Sequence, residues 1–255
     1  MVASLDLTIL IPTYKGNQNL SRLLPPLVAE LSTLGTGEIL IILDNPNSYA
    51  LLELASLSKT YREVRILQNS ANRGQRMATL QGISQARGRY TITMDDDGSH
   101  PPTGIGQLYN RAKELGPRSL VYGTCGGPEN RPVHRNLGTV LNTKLFQRYL
   151  GLPSPIRVGS FRCFATKFAQ EAIAIPVTFP YLSAQLLSRK PQVDQIFYEA
   201  PFDQPESRYT WLVLARLFCK LVLHWGPFAP LARRLCVAQV LPPLLHPQED
   251  QWPVS

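Results

Sequence analysis

The chain has 255 residues, 44% of them apolar and 17% charged, with a formal net charge of +8. Such a chain can bury one sizeable core and needs no second domain for it. The charge is uneven: residues 1–100 carry nine Lys/Arg against nine Asp/Glu, and residues 101–255 carry seventeen against nine. A neutral first half joined to a basic second half suits an anionic surface on one side only. No basic run interleaved with stacking aromatics and no nucleic-acid motif is present, so the expected surface is anionic membrane and no nucleic acid partner is expected.

The first elements follow from apolar runs. Leu7–Pro12 is continuously apolar, as in strands buried on both faces of a parallel sheet. A polar turn and an amphipathic run, Leu20–Leu34, come next. Glu38–Leu43 and Val64–Leu67 read as a second and third strand, Met77–Ala86 as a helix, and Tyr90–Met94 as a fourth strand. The alternation predicts an α/β fold with a doubly wound, mostly parallel sheet flanked by helices. Ligands then belong at the carboxyl ends of the strands, where Tyr14, Asp44, Arg76 and Asp95–Asp97 fall.

The fourth strand runs straight into Asp95-Asp96-Asp97, then turns at Gly98-Ser99 and stops at Pro101-Pro102. Adjacent carboxylates repel one another and favour a compensating cation. Oxygen ligands on a short turn suit Mg²⁺ or Mn²⁺, whose remaining positions are filled by phosphate oxygens and water. The competing reading is a solvated acidic turn. His100, followed by two prolines, reads as a turn-ordering residue and not as a ligand. There is no G-x-G-x-x-G after the first strand and no G-x-x-x-x-G-K-[ST] anywhere, so phosphate-cradling glycine loops are absent. A carboxylate-held metal would take their place, as in a nucleotide-sugar enzyme.

The ordered segments IPTYKGNQNL, ILDNPN, NRGQRMATLQGISQARGRY, TMDDDGSHPP, RPVHRNLGTVLN, GSFRCF, YEAP and ESRYTW resemble family 2 glycosyltransferases of the GT-A fold. Within that family they are most similar to the polyprenyl-phosphate glycosyltransferases, including dolichol-phosphate mannose synthase. The likeness covers residues 5–235 or so. It implies a nucleotide-sugar donor, a polyprenyl-phosphate acceptor and a divalent cation, Mg²⁺ or Mn²⁺. Pro12, Tyr14, Asp44, Arg76, Asp95 and Asp96 would line the nucleotide site, and Asp95 and Asp97 would hold the metal. Asp97, Arg135, Arg162 and Arg208 would carry the reaction, the three arginines on the acceptor side.

Three departures from the family pattern stand out: Asn45 after Asp44, Ile156 where an Asp is frequent, and a short loop at Phe202–Pro205. The alternatives to a polyprenyl-phosphate transferase are a GT-A enzyme acting on a glycan or another lipid, and a non-catalytic sugar-nucleotide-binding homologue.

The expected organisation is a GT-A domain over residues 1–205, with a nucleotide-binding half at 1–100 and an acceptor half at 101–205. An amphipathic, membrane-associating tail would follow at 206–255. In Trp211–Leu223 the apolar run is cut by Arg216 and Lys220, and His224 follows, each four residues apart. On a helix these form one narrow polar stripe, too charged to span a bilayer. Such a helix lies in the interface with Trp211 and Trp225 at headgroup level, or packs on the enzyme's own core. The four cysteines lack C-x-x-C spacing and no secretory signal precedes the first strand, so a cytoplasmic protein, peripheral on the membrane, with reduced thiols and no transmembrane helix is expected.

Overall fold

A computed structural model of the protein describes residues 5–14, 18–45, 48–126, 143–199 and 211–235. The four apolar runs form β1 (Leu5–Thr13), β2 (Gly37–Leu43), β3 (Val64–Gln68) and β4 (Gly88–Thr93), all paired in parallel. Successive side chains point to opposite faces of a strand, so these strands need apolar residues at every position. Ile9, Ile11, Ile39 and Ile41 join one core, while Leu10, Leu40 and Ile42 join another on the opposite face.

Helices α1 (Gln18–Leu34), α2 (Ser48–Thr60) and α4 (Thr103–Leu115) cover the first of these faces. The second face is covered by α3 (Gln75–Gln85), α5 (143–150), α6 (Thr166–Ile173), α7 (Leu182–Leu187) and α8 (Trp211–Trp225). Pro25 and Pro26 lie inside α1. Each removes one backbone N–H from the helix ladder. Both are exposed, where water reaches the carbonyls they leave unpaired, and Leu20, Leu24, Leu27 and Leu31 on the opposite side stay buried.

Beyond α4 the chain adds β5 (Ser119–Gly126), β6 (Arg162–Ala165) and β7 (Gln192–Glu199). The strand order is β3-β2-β1-β4-β6-β5-β7. The expected doubly wound, mostly parallel sheet is therefore present, with β6 antiparallel to both β4 and β5. This reversal has a functional result. The start of β6 lies at the carboxyl end of β4, Arg162 pairing with Thr93, so residues just before β6 arrive beside the aspartates.

The boundary expected at residue 205 lies outside the described residues, as does the apolar stretch from residue 236 onward. Helix α8 packs on the same core as α6 and α7, with Leu221 and Trp225 buried. Trp225, expected at headgroup level, is instead 8% exposed, and its indole N–H donates to the Phe179 carbonyl at 2.9 Å. His224 also faces inward, its Nδ1 2.8 Å from Thr178 Oγ1. A polar stripe can face protein as well as lipid, and here hydroxyl, carbonyl and ring partners on the 178–179 segment hold His224 and Trp225 against the protein. Arg216 and Lys220 remain exposed. The side chain of Trp211 lies outside the described part. Helix α9 (Ala229–Leu235) follows α8. Among the described residues no helix is long and apolar enough to cross a membrane.

Gly88 marks the tightest contact between β4 and β1: a Cβ there would sit 2.4 Å from the Thr8 backbone nitrogen. Gly88→Ala must push the two central strands apart, and overpacking of this kind costs about 1–3 kcal/mol. A lowered urea midpoint with an unchanged slope is the expected result.

Candidate active site

The site is built where the parallel strands end. β1 carries Pro12, buried, and Thr13, and delivers the half-exposed Tyr14 just beyond. β2 ends at Asp44, 3% exposed, whose backbone N–H donates to the Thr13 carbonyl at 2.7 Å. Asp44 Oδ1 accepts hydrogen bonds from Asn69 Nδ2 at 2.8 Å and from the Arg73 backbone N–H at 2.9 Å. A buried carboxylate needs such donors to offset its lost hydration. Asn45, at the first family departure, donates through Nδ2 to the Tyr14 carbonyl at 3.1 Å and so ties the β1 and β2 ends together.

The three aspartates after β4 point to three different environments. Asp95 is held on both oxygens. Gln75 Nε2 donates to Oδ1 at 2.6 Å, and the Ser160 hydroxyl donates to Oδ2 at 2.7 Å. His100 Nε2 lies 3.3 Å from the same Oδ2, and His100 Nδ1 lies 3.2 Å from the Tyr198 hydroxyl. The imidazole stacks on Phe161 at 4.8 Å between centroids. Burial alone would push the Asp95 carboxyl up, but the hydrogen bond and charge of His100, the Ser160 hydroxyl and the Arg162 charge outweigh it, leaving it below its ordinary range.

Asp96 behaves oppositely. Burial and the neighbouring Asp97 and Asp95 charges push it up, although Thr13 donates its hydroxyl to Oδ2 at 2.5 Å. Asp97 is exposed, its Oδ1 accepting the Ser99 backbone N–H at 2.9 Å across a turn that Gly98 closes at φ 77°. Gly98 is needed there because other residues rarely adopt that backbone region.

Among the described residues no three His, Cys, Asp or Glu side chains converge as a complete metal cage. Mg²⁺ and Mn²⁺ do not require one, since one or two carboxylates, water and substrate phosphate oxygens complete their shell. Asp95 and Asp97, two oxygen donors on one tight turn, fit that chemistry. The ionised state favoured for Asp95 fits it as well.

Arg162 lies deeper than expected of a surface contact. It is 9% exposed, its Nε donates to Thr93 Oγ1 at 3.3 Å, and its Nη1 bonds the Ser183 hydroxyl. Arg76 begins α3 beside Gln75 and lies over the Phe179 ring at 4.4 Å. Arg135 and Arg208 lie outside the described residues. Ile156, where the family pattern frequently has an Asp, is 7% exposed and belongs to the core shared with α5 and α6. Thus Pro12, Tyr14, Asp44 and Asp95–Asp97 gather at one strand-end surface, with Arg76 and Arg162 on its α3 and β6 flanks. Sequence reasoning did not single out Thr13, Asn69, Gln75, Ser160 or Tyr198 as parts of the site. Each sits within or beside a quoted motif, but only the fold shows that Thr13, Asn69, Gln75 and Ser160 reach the carboxylates and that Tyr198 reaches His100.

The seven-stranded, mostly parallel sheet flanked by helices is the GT-A fold, shared with solved glycosyltransferases. A family model for glycosyl transferase family 2 matches residues 8–172, and the chain belongs to that family. Among curated relatives, a dolichol-phosphate mannosyltransferase from Mycosarcoma maydis is 30% identical over 144 residues, 51% of this chain and 47% of that protein. An undecaprenyl-phosphate 4-deoxy-4-formamido-L-arabinose transferase from Klebsiella pneumoniae is 28% identical over 225 residues, 84% of this chain and 66% of that protein. The chain thus spans about half the length of the first relative and two thirds of the second. A Mycobacterium tuberculosis glucosyl-3-phosphoglycerate synthase, solved with Mn²⁺ and UDP-glucose, shares the fold at a TM-score of 0.59 and 12% identity, covering 88% of this chain and 80% of that one.

Ser160→Ala removes the shortest hydroxyl contact to Asp95 while leaving its burial intact. The Asp95 pKa should rise toward or above the ordinary carboxylate range. Carboxyl-carbon NMR titration of wild type and variant reads this directly, and an unmoved titration would show that the remaining His100, Gln75 and Arg162 interactions set the charge state.

Proposed function

We propose that this protein is a metal-dependent, inverting glycosyltransferase that moves a sugar from a nucleotide-diphosphate sugar to a polyprenyl phosphate at a membrane surface. The observation that carries the reading is the strand-end cluster in which Asp95 is fixed by Gln75, Ser160 and His100, with Asp97 two residues away and Asp44 at the end of β2, one strand beyond β1. The names of the mannosyl- and arabinosyl-type relatives support a polyprenyl-phosphate acceptor, and the Mn²⁺–UDP-glucose complex of the structural neighbour supports the donor class and the metal.

Pro12, Tyr14 and Asp44 would receive the nucleoside, with Asp44 hydrogen-bonding the base. Asp95 and Asp97 would hold Mg²⁺ or Mn²⁺, which when bound neutralises the departing diphosphate. Asp96, tied to Thr13, would keep the turn against β1. On the other side, Arg162 with Arg135 and Arg208 would place the acceptor phosphate in line with the anomeric carbon. A phosphate oxygen attacks that carbon as the bond to the diphosphate oxygen breaks, inverting its configuration, and the nucleoside diphosphate departs. Because the second ionisation of a phosphate monoester lies near pH ~6, the nucleophile needs positioning and not a strong general base.

Membrane association would come from the outer side of α8 and α9. Leu223, Phe228, Leu231 and Leu235 are exposed there, next to the exposed Arg216 and Arg234, and residues 211–235 contain no Asp or Glu. Apolar insertion then combines with attraction to anionic lipid, worth roughly 1 kcal/mol per basic residue near the surface.

Two measurements test this. Purified protein incubated with Mn²⁺, polyprenyl phosphate in vesicles and a panel of labelled nucleotide sugars should form a chelator-sensitive glycolipid. Asp97→Asn should abolish both the product and Mn²⁺-dependent binding of nucleoside diphosphate by calorimetry without lowering Tm. Transfer to a glycan instead, or unchanged metal-dependent binding in Asp97→Asn, would overturn the acceptor or the metal assignment respectively. For the membrane face, Phe228→Glu with Leu231→Glu should release the protein from anionic vesicles while leaving donor binding intact; undiminished pelleting would place the contact elsewhere.

A further inference from the structure

Three elements meet around the ring of Phe179, itself 4% exposed: the start of α3, the stretch before α7, and α8. The Arg76 guanidinium carbon lies 4.4 Å from the ring centroid and the Lys220 ammonium 5.6 Å, so the two charges stand within about 10 Å of each other. His224 stacks on the same ring at 5.5 Å. Burial and the Lys220 charge hold His224 below its ordinary pKa, so at neutral pH it adds a flat uncharged wall and not a third cation.

Among the described residues neither cation forms an ion pair. The ion pairs among the described residues are Arg65–Glu38, His100–Asp95, Arg111–Glu114 and Arg111–Asp194. The sequence explains why. Residues 76–94, 172–193 and 211–235, which supply the described elements at this junction, contain no Asp or Glu. An arginine and a lysine over one aromatic ring, with no Asp or Glu in the described elements that carry them, repel each other and favour an anion from outside the chain. A phosphate carries the charge and the several acceptor oxygens that two such groups can share.

The junction also lies beside the donor machinery. Arg76 adjoins Gln75, whose amide bonds Asp95. The same 178–183 segment that holds Phe179 supplies Ser183 to the buried Arg162. We propose that Arg76 and Lys220, seated on Phe179, clamp the phosphate of the lipid acceptor and bring it to the donor from the α3–α8 side. The inference rests on the reading of a lipid-phosphate acceptor given above. It gives Arg76 a role on the acceptor side and makes α8 part of the binding site as well as a membrane contact.

The test uses the full chain with farnesyl phosphate as a soluble probe, and polyprenyl phosphate as acceptor. Lys220→Gln should weaken farnesyl phosphate binding, and raise the acceptor KM, on the order of tenfold. Donor KM, Mn²⁺-dependent nucleoside diphosphate binding and Tm should stay as in wild type, and Lys220→Arg should restore the affinity. Phe179→Leu, which keeps an apolar plug but removes the ring face, should lower probe affinity in the same direction. Unchanged farnesyl phosphate binding in Lys220→Gln overturns the clamp, including the case where that variant loses only its binding to anionic vesicles and Lys220 serves bulk phospholipid. A drop in donor affinity in Arg76→Gln equal to the drop in acceptor affinity also overturns it, returning Arg76 to the donor site. If wild type forms no glycolipid yet binds farnesyl phosphate in a Lys220-dependent way, the proposed reaction falls and the clamp stands.

Discussion

The arrangement depends on keeping one carboxylate charged while most of it is withdrawn from water. Asp95 can be ionised there only because donors reach it from three places: Gln75 at the head of α3, His100 five residues on, and Ser160 ahead of β6. An unmet buried charge costs far more than a hydrogen bond contributes, so the site constrains the fold around it. The antiparallel insertion of β6 between β4 and β5 is the topological answer, since it returns Ser160 to the end of β4. Phe161 follows Ser160 and supplies the surface on which His100 stacks, so one short segment fixes both the hydroxyl and the imidazole.

The second organising contact is between α8 and the 178–181 segment. Trp225 and His224 bond to it, Leu221 fills the core beneath, and Lys220 reaches the Phe179 ring. The helix therefore has an inner side committed to the enzyme and an outer side left for a surface. The 178–183 segment it packs against also carries Ser183, which bonds Arg162.

Much of the first hundred residues was legible because buried parallel strands write themselves as unbroken apolar runs. Strand bounds shifted by one or two residues, as at β1 and β4. The short β6 left no periodic signal, having only four residues, and β7 alternates weakly because it lies at the sheet edge. The partners of Asp95 were hidden for a different reason: Ser160 is 65 residues away, and no spacing rule connects them. Trp225 was misplaced because three polar residues four apart describe a face without saying what the face meets. The deciding partner, Phe179, is 46 residues earlier in the chain.

Ile156 shows how core packing can fix a residue at the margin of such a site. It is packed with the buried residues of α5 and α6, and its backbone N–H donates to the Pro153 carbonyl at 3.1 Å. Replacing it with the aspartate that resembling proteins frequently carry would place a carboxylate among apolar side chains, where it would be forced neutral or would expel its neighbours. A charge at position 156 would therefore require compensating changes among the side chains packed around it, so the residue here is held by packing and not by the chemistry of the site.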